Sequence, residues 1–137
     1  MQDRPTAEQL LEAVASFLRD QVVPATQAPL AFHARVAANA LDIARREIAL
    51  APAADVRARA ALSALLQAEP HSDLAHLNRA LCERIAHDEF DLQTPGLADA
   101  LWRITLDKLA IDQPGYETYR RHSGWSPLID EPAASRR

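Results

Sequence analysis

Arg35, Asn39, Asp42 and Arg46 stand at i, i+4, i+7 and i+11, which places all four on one face of a helix. Such a stripe offers guanidinium and amide donors to an anion or to a facing backbone carbonyl, and Asp42 and Arg46 are spaced to pair with each other. The same pattern also suits a solvated helix face or polar ties between neighbouring helices. His33, beside Phe32, adds a group able to titrate near neutrality and to act as acid or base. No carboxylate lies three or four residues away to orient it, so a half-buried structural histidine is the alternative.

Metal and nucleophile chemistry find less support. Of His71, His76, Cys82, Glu83 and His87, only Glu83 and His87 have the i, i+4 spacing that two ligands on a helix need, and two ligands do not close a site. His76 and His87 share a face but lie about 16 Å apart along a helix axis, too far to hold one ion. No metal is expected. Cys82 falls near Leu77, Leu81 and Ile85, where a thiol behaves as a small core residue. The three glycines, Gly96, Gly115 and Gly124, are isolated, so no phosphate-cradling loop exists and no nucleotide cofactor is expected. A nucleophile elbow and a locally spaced carboxylate pair are also missing, and no catalytic residue is assigned. Tyr116, Glu117, Tyr119, Arg120, Arg121 and His122 form a basic aromatic cluster that could stack on a ligand or seal the C-terminal part to the domain.

The elements that must position these residues read as helices throughout. Thr6 with Gln9 forms a capping box ahead of Leu10, Leu11, Val14, Phe17 and Leu18, a first helix running to a break at Pro24. Pro29 opens a second helix that ends near Leu50, with Phe32, Val36, Ala40 and Ile43 as its buried stripe, widened by Leu41, Ala44 and Ile48. Pro52 ends it or starts the next element. Residues 55–67 form an alanine-rich third helix with an ill-defined buried face. Ser72 caps a fourth, with Leu74, Leu77, Leu81 and Ile85 inside and Asp73 suiting the helix dipole. Phe90 and Leu92 tuck beneath the bundle, and Thr94 with Pro95 opens a fifth helix that stops before Pro114. Short connections make these helices mostly antiparallel neighbours. The expected fold is therefore all-α, a single-domain bundle of about five helices over residues 1–128, with an irregular, flexible C-terminal tail over 129–137.

Composition agrees. Of 137 residues, 48% are hydrophobic, and alanine and leucine far outnumber valine, isoleucine and threonine, a balance that favours helix over sheet. Nineteen acids against fifteen bases give a formal charge of −4 with no basic block, which argues against nucleic-acid binding. No apolar run approaches the length that spans a bilayer, and the first residues lack the pattern of a secretory signal. A single cysteine forms no internal disulfide. A reducing cytoplasm is the expected setting.

Four stretches then stand out together: Met1-Gln2-Asp3-Arg4-Pro5 with the first helix, Phe32-His33-Ala34-Arg35-Val36-Ala37-Ala38-Asn39-Ala40-Leu41, Leu77-Asn78-Arg79-Ala80-Leu81-Cys82, and Thr105-Leu106-Asp107-Lys108-Leu109-Ala110-Ile111-Asp112-Gln113-Pro114. Over about residues 1–121 the chain resembles a bacterial family known as a domain of unknown function. The resemblance implies genomic neighbours of the aminoglycoside-phosphotransferase and acyl-CoA dehydrogenase types, and so an accessory role beside a phosphotransferase-like or acyl-CoA-metabolising enzyme. It directs attention to His33, Arg35, Asn39, Asn78, Lys108 and Asp112 as a shared ligand- or partner-binding surface. Three functions are thus expected in turn. The first is a non-catalytic accessory or interaction module. The second is a small-molecule binder or enzyme with a pocket between helices, holding an anionic group with Arg35 and Lys108 and moving a proton with His33 or Asp112. The third is a homodimer paired through the alanine-rich third helix.

Overall fold

The computed structural model describes residues 4–69 and 71–123, and among them there is no strand. Helix α1 spans Ala7–Phe17. Its capping box is formed: the Gln9 amide donates to Thr6 Oγ1 at 3.3 Å while Gln9 Oε1 accepts from the Thr6 amide at 2.9 Å. The chain then stays helical through a wider π-type turn at Leu18–Val22 and one further α turn, Val23–Ala25. The expected break at Pro24 is therefore displaced to Thr26, whose hydroxyl donates to the Val22 carbonyl at 2.8 Å and satisfies one of the acceptors the ending helix leaves open.

Helix α2 is the largest departure from expectation. It runs unbroken over Ala28–Leu66, 39 residues with Pro52 inside, where two helices separated at Pro52 were expected. Proline in a helix interior removes one hydrogen bond and crowds the preceding turn, at about 3 kcal/mol. Here Pro52 and Ile48, whose carbonyl loses its donor, both face solvent, so water can serve the orphaned acceptor. Helices packed along both ends of α2 supply the rest. Pro29 sits in its first turn as expected, and Gln67 ends it in the left-handed conformation.

Helix α3 spans Leu74–Ala86 and is capped by Asp73 rather than Ser72, the Asp73 carboxylate accepting from the His76 amide at 3.3 Å. Ser72 instead offers its carbonyl to Arg59 Nη1 at 2.9 Å. Helix α4 spans Leu97–Asp112. It starts after Gly96, in the left-handed region at φ 80°, because Thr94 and Pro95 are held in the preceding turn, where the Asp91 amide donates to Thr94 Oγ1. A short α5, Glu117–His122, closes the described chain. It packs on α4, with His122 edge-on to Trp102 at 5.3 Å between ring centroids. The reading for 129–137 lies outside the described residues.

Among the described residues, five helices thus form an all-α bundle strung along α2. Helix α1 folds back on the N-terminal half of α2, while α3 and α4 pack on its C-terminal half. The core is Leu62, Leu66, Leu77, Leu81 and Leu97, with Leu65, Leu74, Phe90 and Ile104 packed against it. Residues 55–67, expected to have an ill-defined buried face and offered for that reason as a dimer surface, contribute the centre of this core. The stripe expected to be buried, Phe32, Val36 and Ile43, is instead 57%, 50% and 37% exposed, and Ala31, Ala34 and Ala38 are buried in its place. Leu92 does not tuck in, at 82% exposed, although Phe90 does. Ile85 and Cys82 also face solvent, so the thiol is not a core residue.

Candidate functional site

The polar stripe of α2 is divided by its neighbours. Asp42 does not pair with Arg46. It is held by Arg19, from the π-type turn after α1, and by Arg45 at 3.9 Å, while Arg19 also reaches the Ala38 carbonyl at 3.5 Å. Arg46 donates through Nε to the Ile111 carbonyl at 2.6 Å, capping the last turn of α4, where a cation also meets the negative end of the helix dipole. These residues are ties between helices. Arg35 and Asn39 are exposed, and among the described residues their side chains have no hydrogen bond or ion pair, which leaves them available to a partner. His33 is exposed as well, its ring edge-on to Phe32 at 5.6 Å.

Asn78, Lys108 and Asp112 come together elsewhere, on the walls of a cleft of about 330 Å³ between the middle of α2, the start of α3 and the end of α4. The middle of α2 supplies Glu47 and Asp55, α4 adds Asp107, and Ile104 and Leu74 form the apolar wall. Asn78 spends one amide hydrogen on the Leu74 carbonyl at 2.9 Å and keeps its oxygen. Asp107 accepts from Arg57 at 2.7 and 3.3 Å, and that hydrogen bond raises the Arg57 pKa above its ordinary value. The cleft thus presents four carboxylates, one of them (Asp107) paired with Arg57, and one ammonium, a remaining excess of negative charge that suits a positively charged group. Arg35 lies 12 residues before Glu47, about 18 Å along the axis, so it does not join Lys108 around one anion.

The six candidate residues therefore fall into two groups: His33, Arg35 and Asn39 on the exposed N-terminal half of α2, and Asn78, Lys108 and Asp112 in the cleft. Sequence spacing missed Arg19, Glu47, Asp55 and Asp107. Arg57 and Asp107 are 50 positions apart, and no local periodicity signals such a pair. His87 Nδ1 hydrogen-bonds to the Glu83 backbone carbonyl at 2.8 Å, the contact that the i, i+4 spacing brings about. Among the described residues no group of three or more His, Cys, Asp or Glu is arranged to hold a metal ion, and no helix is long and apolar enough to cross a membrane.

What the fold and surface define is an all-helical domain with a leucine core at one end and an alanine-seamed helical hairpin at the other. The chain belongs to the family described as a domain of unknown function, DUF6285, whose profile matches residues 24–116. The match takes in α2, α3 and α4 and leaves α1 outside, a shorter span than the 1–121 over which the resemblance was drawn. No curated protein and no solved structure matches the chain.

Proposed function

We propose that this domain is a non-catalytic accessory module that docks a metabolic enzyme on the exposed stripe of α2. One observation carries the reading: Phe32, Val36 and Ile43 stand in water along one line of the helix, bordered by the free Arg35 and Asn39. An aromatic anchor beside aliphatic side chains, with an arginine and an amide at the rim, is the make-up of a non-obligate protein interface. The partner suggested by the family resemblance is a phosphotransferase-like or acyl-CoA-metabolising enzyme, in a cytoplasmic, bacterial setting. The test is a pull-down from source-cell extract with wild type, Phe32→Ser/Val36→Ser and Arg35→Ala/Asn39→Ala. Recovery of one such enzyme, lost with the first variant and weakened with the second, is the expected result. Equal recovery with all three, or recovery of no enzyme, overturns the proposal.

The cleft favours a second reading, a small ligand held by Asn78, Lys108 and Asp112. Its carboxylate excess shifts the expected ligand from an anion to an amine. Thermal unfolding with spermidine or putrescine, against acyl-CoA and organic acids, separates the two, because a ligand specific for the folded state raises Tm. A rise with the amines that Asp112→Asn removes supports this reading, and no rise with any of them ends it.

A further inference from the structure

The hairpin of α1 and α2 has two flanks of different chemistry. One flank carries the Arg19–Asp42 ion pair, and by helical phase Glu8, Glu12, Arg35 and Arg46 fall on that side as well. On α1, going round the helix from Ala15 away from Arg19, beyond the half-buried Leu11 and Leu18 come Leu10, Val14 and Phe17, at i, i+4 and i+7 and 45%, 48% and 58% exposed. On α2, going round from Ala38 away from Asp42, come Leu30 and Ile48, 57% and 46% exposed, with Ala37, Leu41 and Ala44 between them. Because the two helices run antiparallel, these two stripes lie side by side. They form one apolar face, bordered at the seam by Arg45, which pairs with Asp42.

We infer that this face is a homodimer interface, on which the hairpin of a second copy packs to complete a four-helix bundle. The proposal is independent of the docking stripe above, which lies on another side of α2. Three observations select a second copy as the occupant. Two helices sealed by alanine do not enclose a core, and helical cores of this kind close with four; an identical hairpin supplies the missing pair with matched length. In a chain of formal charge −4 the face carries no charge beyond that of Arg45 at its seam edge, which Asp42 pairs, so it meets its own image about a two-fold axis with little repulsion and offers little charge by which to select a different protein. Its five large side chains leave on the order of 450 Å² of apolar surface in water, more than half of the roughly 800 Å² per partner that a standard interface buries. Ala37, Leu41 and Ala44 supply more of it.

The experiment is light scattering on the full chain after size exclusion at several concentrations, with Val14→Glu and Phe17→Glu as disrupting variants and Phe32→Glu as control. Circular dichroism establishes that each variant keeps its helix. The expected mass is twice the chain's 15.1 kDa for wild type and Phe32→Glu. For Val14→Glu and Phe17→Glu the dimer should weaken at least roughly 30-fold, the loss typical of removing a central anchor. A monomer at every concentration overturns the inference, whatever else covers the face, and so does a dimer that Phe32→Glu dissociates and Phe17→Glu does not. A monomeric chain that still captures an enzyme in the pull-down removes the dimer and leaves the docking stripe. A dimer that captures no enzyme does the reverse.

Discussion

Between Ala28 and Leu50, α2 buries Ala31, Ala34 and Ala38 in the half on which α1 and the turns after it pack, whereas between Asp55 and Leu66 the same helix buries Leu62 and Leu66 against Leu77 and Leu81 of α3 and Leu97 of α4. The alanine seam lets two backbones approach closely but removes little apolar area from water. Each fully buried leucine of the other half contributes roughly 1.5–3 kcal/mol, and Leu62 and Leu77 are completely enclosed. The N-terminal half has no large side chain among its buried residues, and nine of its large apolar side chains, from Leu10 to Leu50, are 37% to 58% exposed, while Leu11, Leu18 and Leu41 are half-buried. One half of the molecule holds the fold, and the other keeps its large side chains for contact.

The most severe way to break this comparison is a pair of truncations. Leu77→Ala should lower the unfolding free energy by about 3–4 kcal/mol, the cost of lost burial plus the cavity left behind, as read from urea denaturation. Phe32→Ala, although it removes a larger side chain, should change it by less than about 0.5 kcal/mol, because that ring is already in water. Equal costs would mean that both halves carry the fold. Next in size, Pro52→Ala, at the junction of the halves, should stabilise by about 2 kcal/mol. It restores the amide that bonds to the Ile48 carbonyl and removes a ring from the helix interior. A loss of stability there would show that the proline sets a bend on which the packing of α1 or α4 depends.

Much of this architecture was legible in the sequence. The capping box at Thr6, the Leu74, Leu77 and Leu81 repeat and the end of α4 before Pro114 are local signals, and local physics decides them. Pro52 misled because its cost is a few kcal/mol while the neighbours along α2 are distant in sequence, so tertiary packing outweighs the breaker. The buried stripe was inverted for a related reason. Hydrophobic periodicity ranks Phe32 and Val36 above alanine, yet Ala31, Ala34 and Ala38 form a stripe of their own, and close approach of α1 selects the smaller residues. Asn78, Lys108 and Asp112 were named from a family resemblance, but their meeting place depends on how α3 and α4 lie on α2. Glu47 and Asp55, which give the cleft its sign, carry no motif.

Ala38→Leu sharpens the comparison further. Ala38 is fully buried, and a leucine there overfills the seam, which should destabilise by about 1–2 kcal/mol and should loosen α1 in hydrogen exchange while α3 stays protected. Uniform loss of protection would show that the hairpin and the leucine core unfold as one unit.

The smallest effect expected concerns the ion pairs that brace each half. Arg57 and Asp107 join α2 to α4 with side chains 59% and 26% exposed, and Arg19 and Asp42 join the hairpin at 30% and 20%. Water and salt screen the first pair more strongly, although its two hydrogen bonds are well formed and raise the Arg57 pKa. Asp107→Asn should therefore shift unfolding by less than about 0.5 kcal/mol, and the shift should vanish in roughly 1 M salt. Asp42→Asn should cost about 1 kcal/mol and keep most of that cost in salt, because it leaves Arg19 and Arg45 without their shared carboxylate at a half-buried seam. The hairpin, poor in buried apolar area, would then lean on its ion pair more than the leucine half leans on its own. The reverse order in urea midpoints, measured at low and high salt, would place electrostatic bracing in the core half and leave the alanine seam to hold α1 unaided.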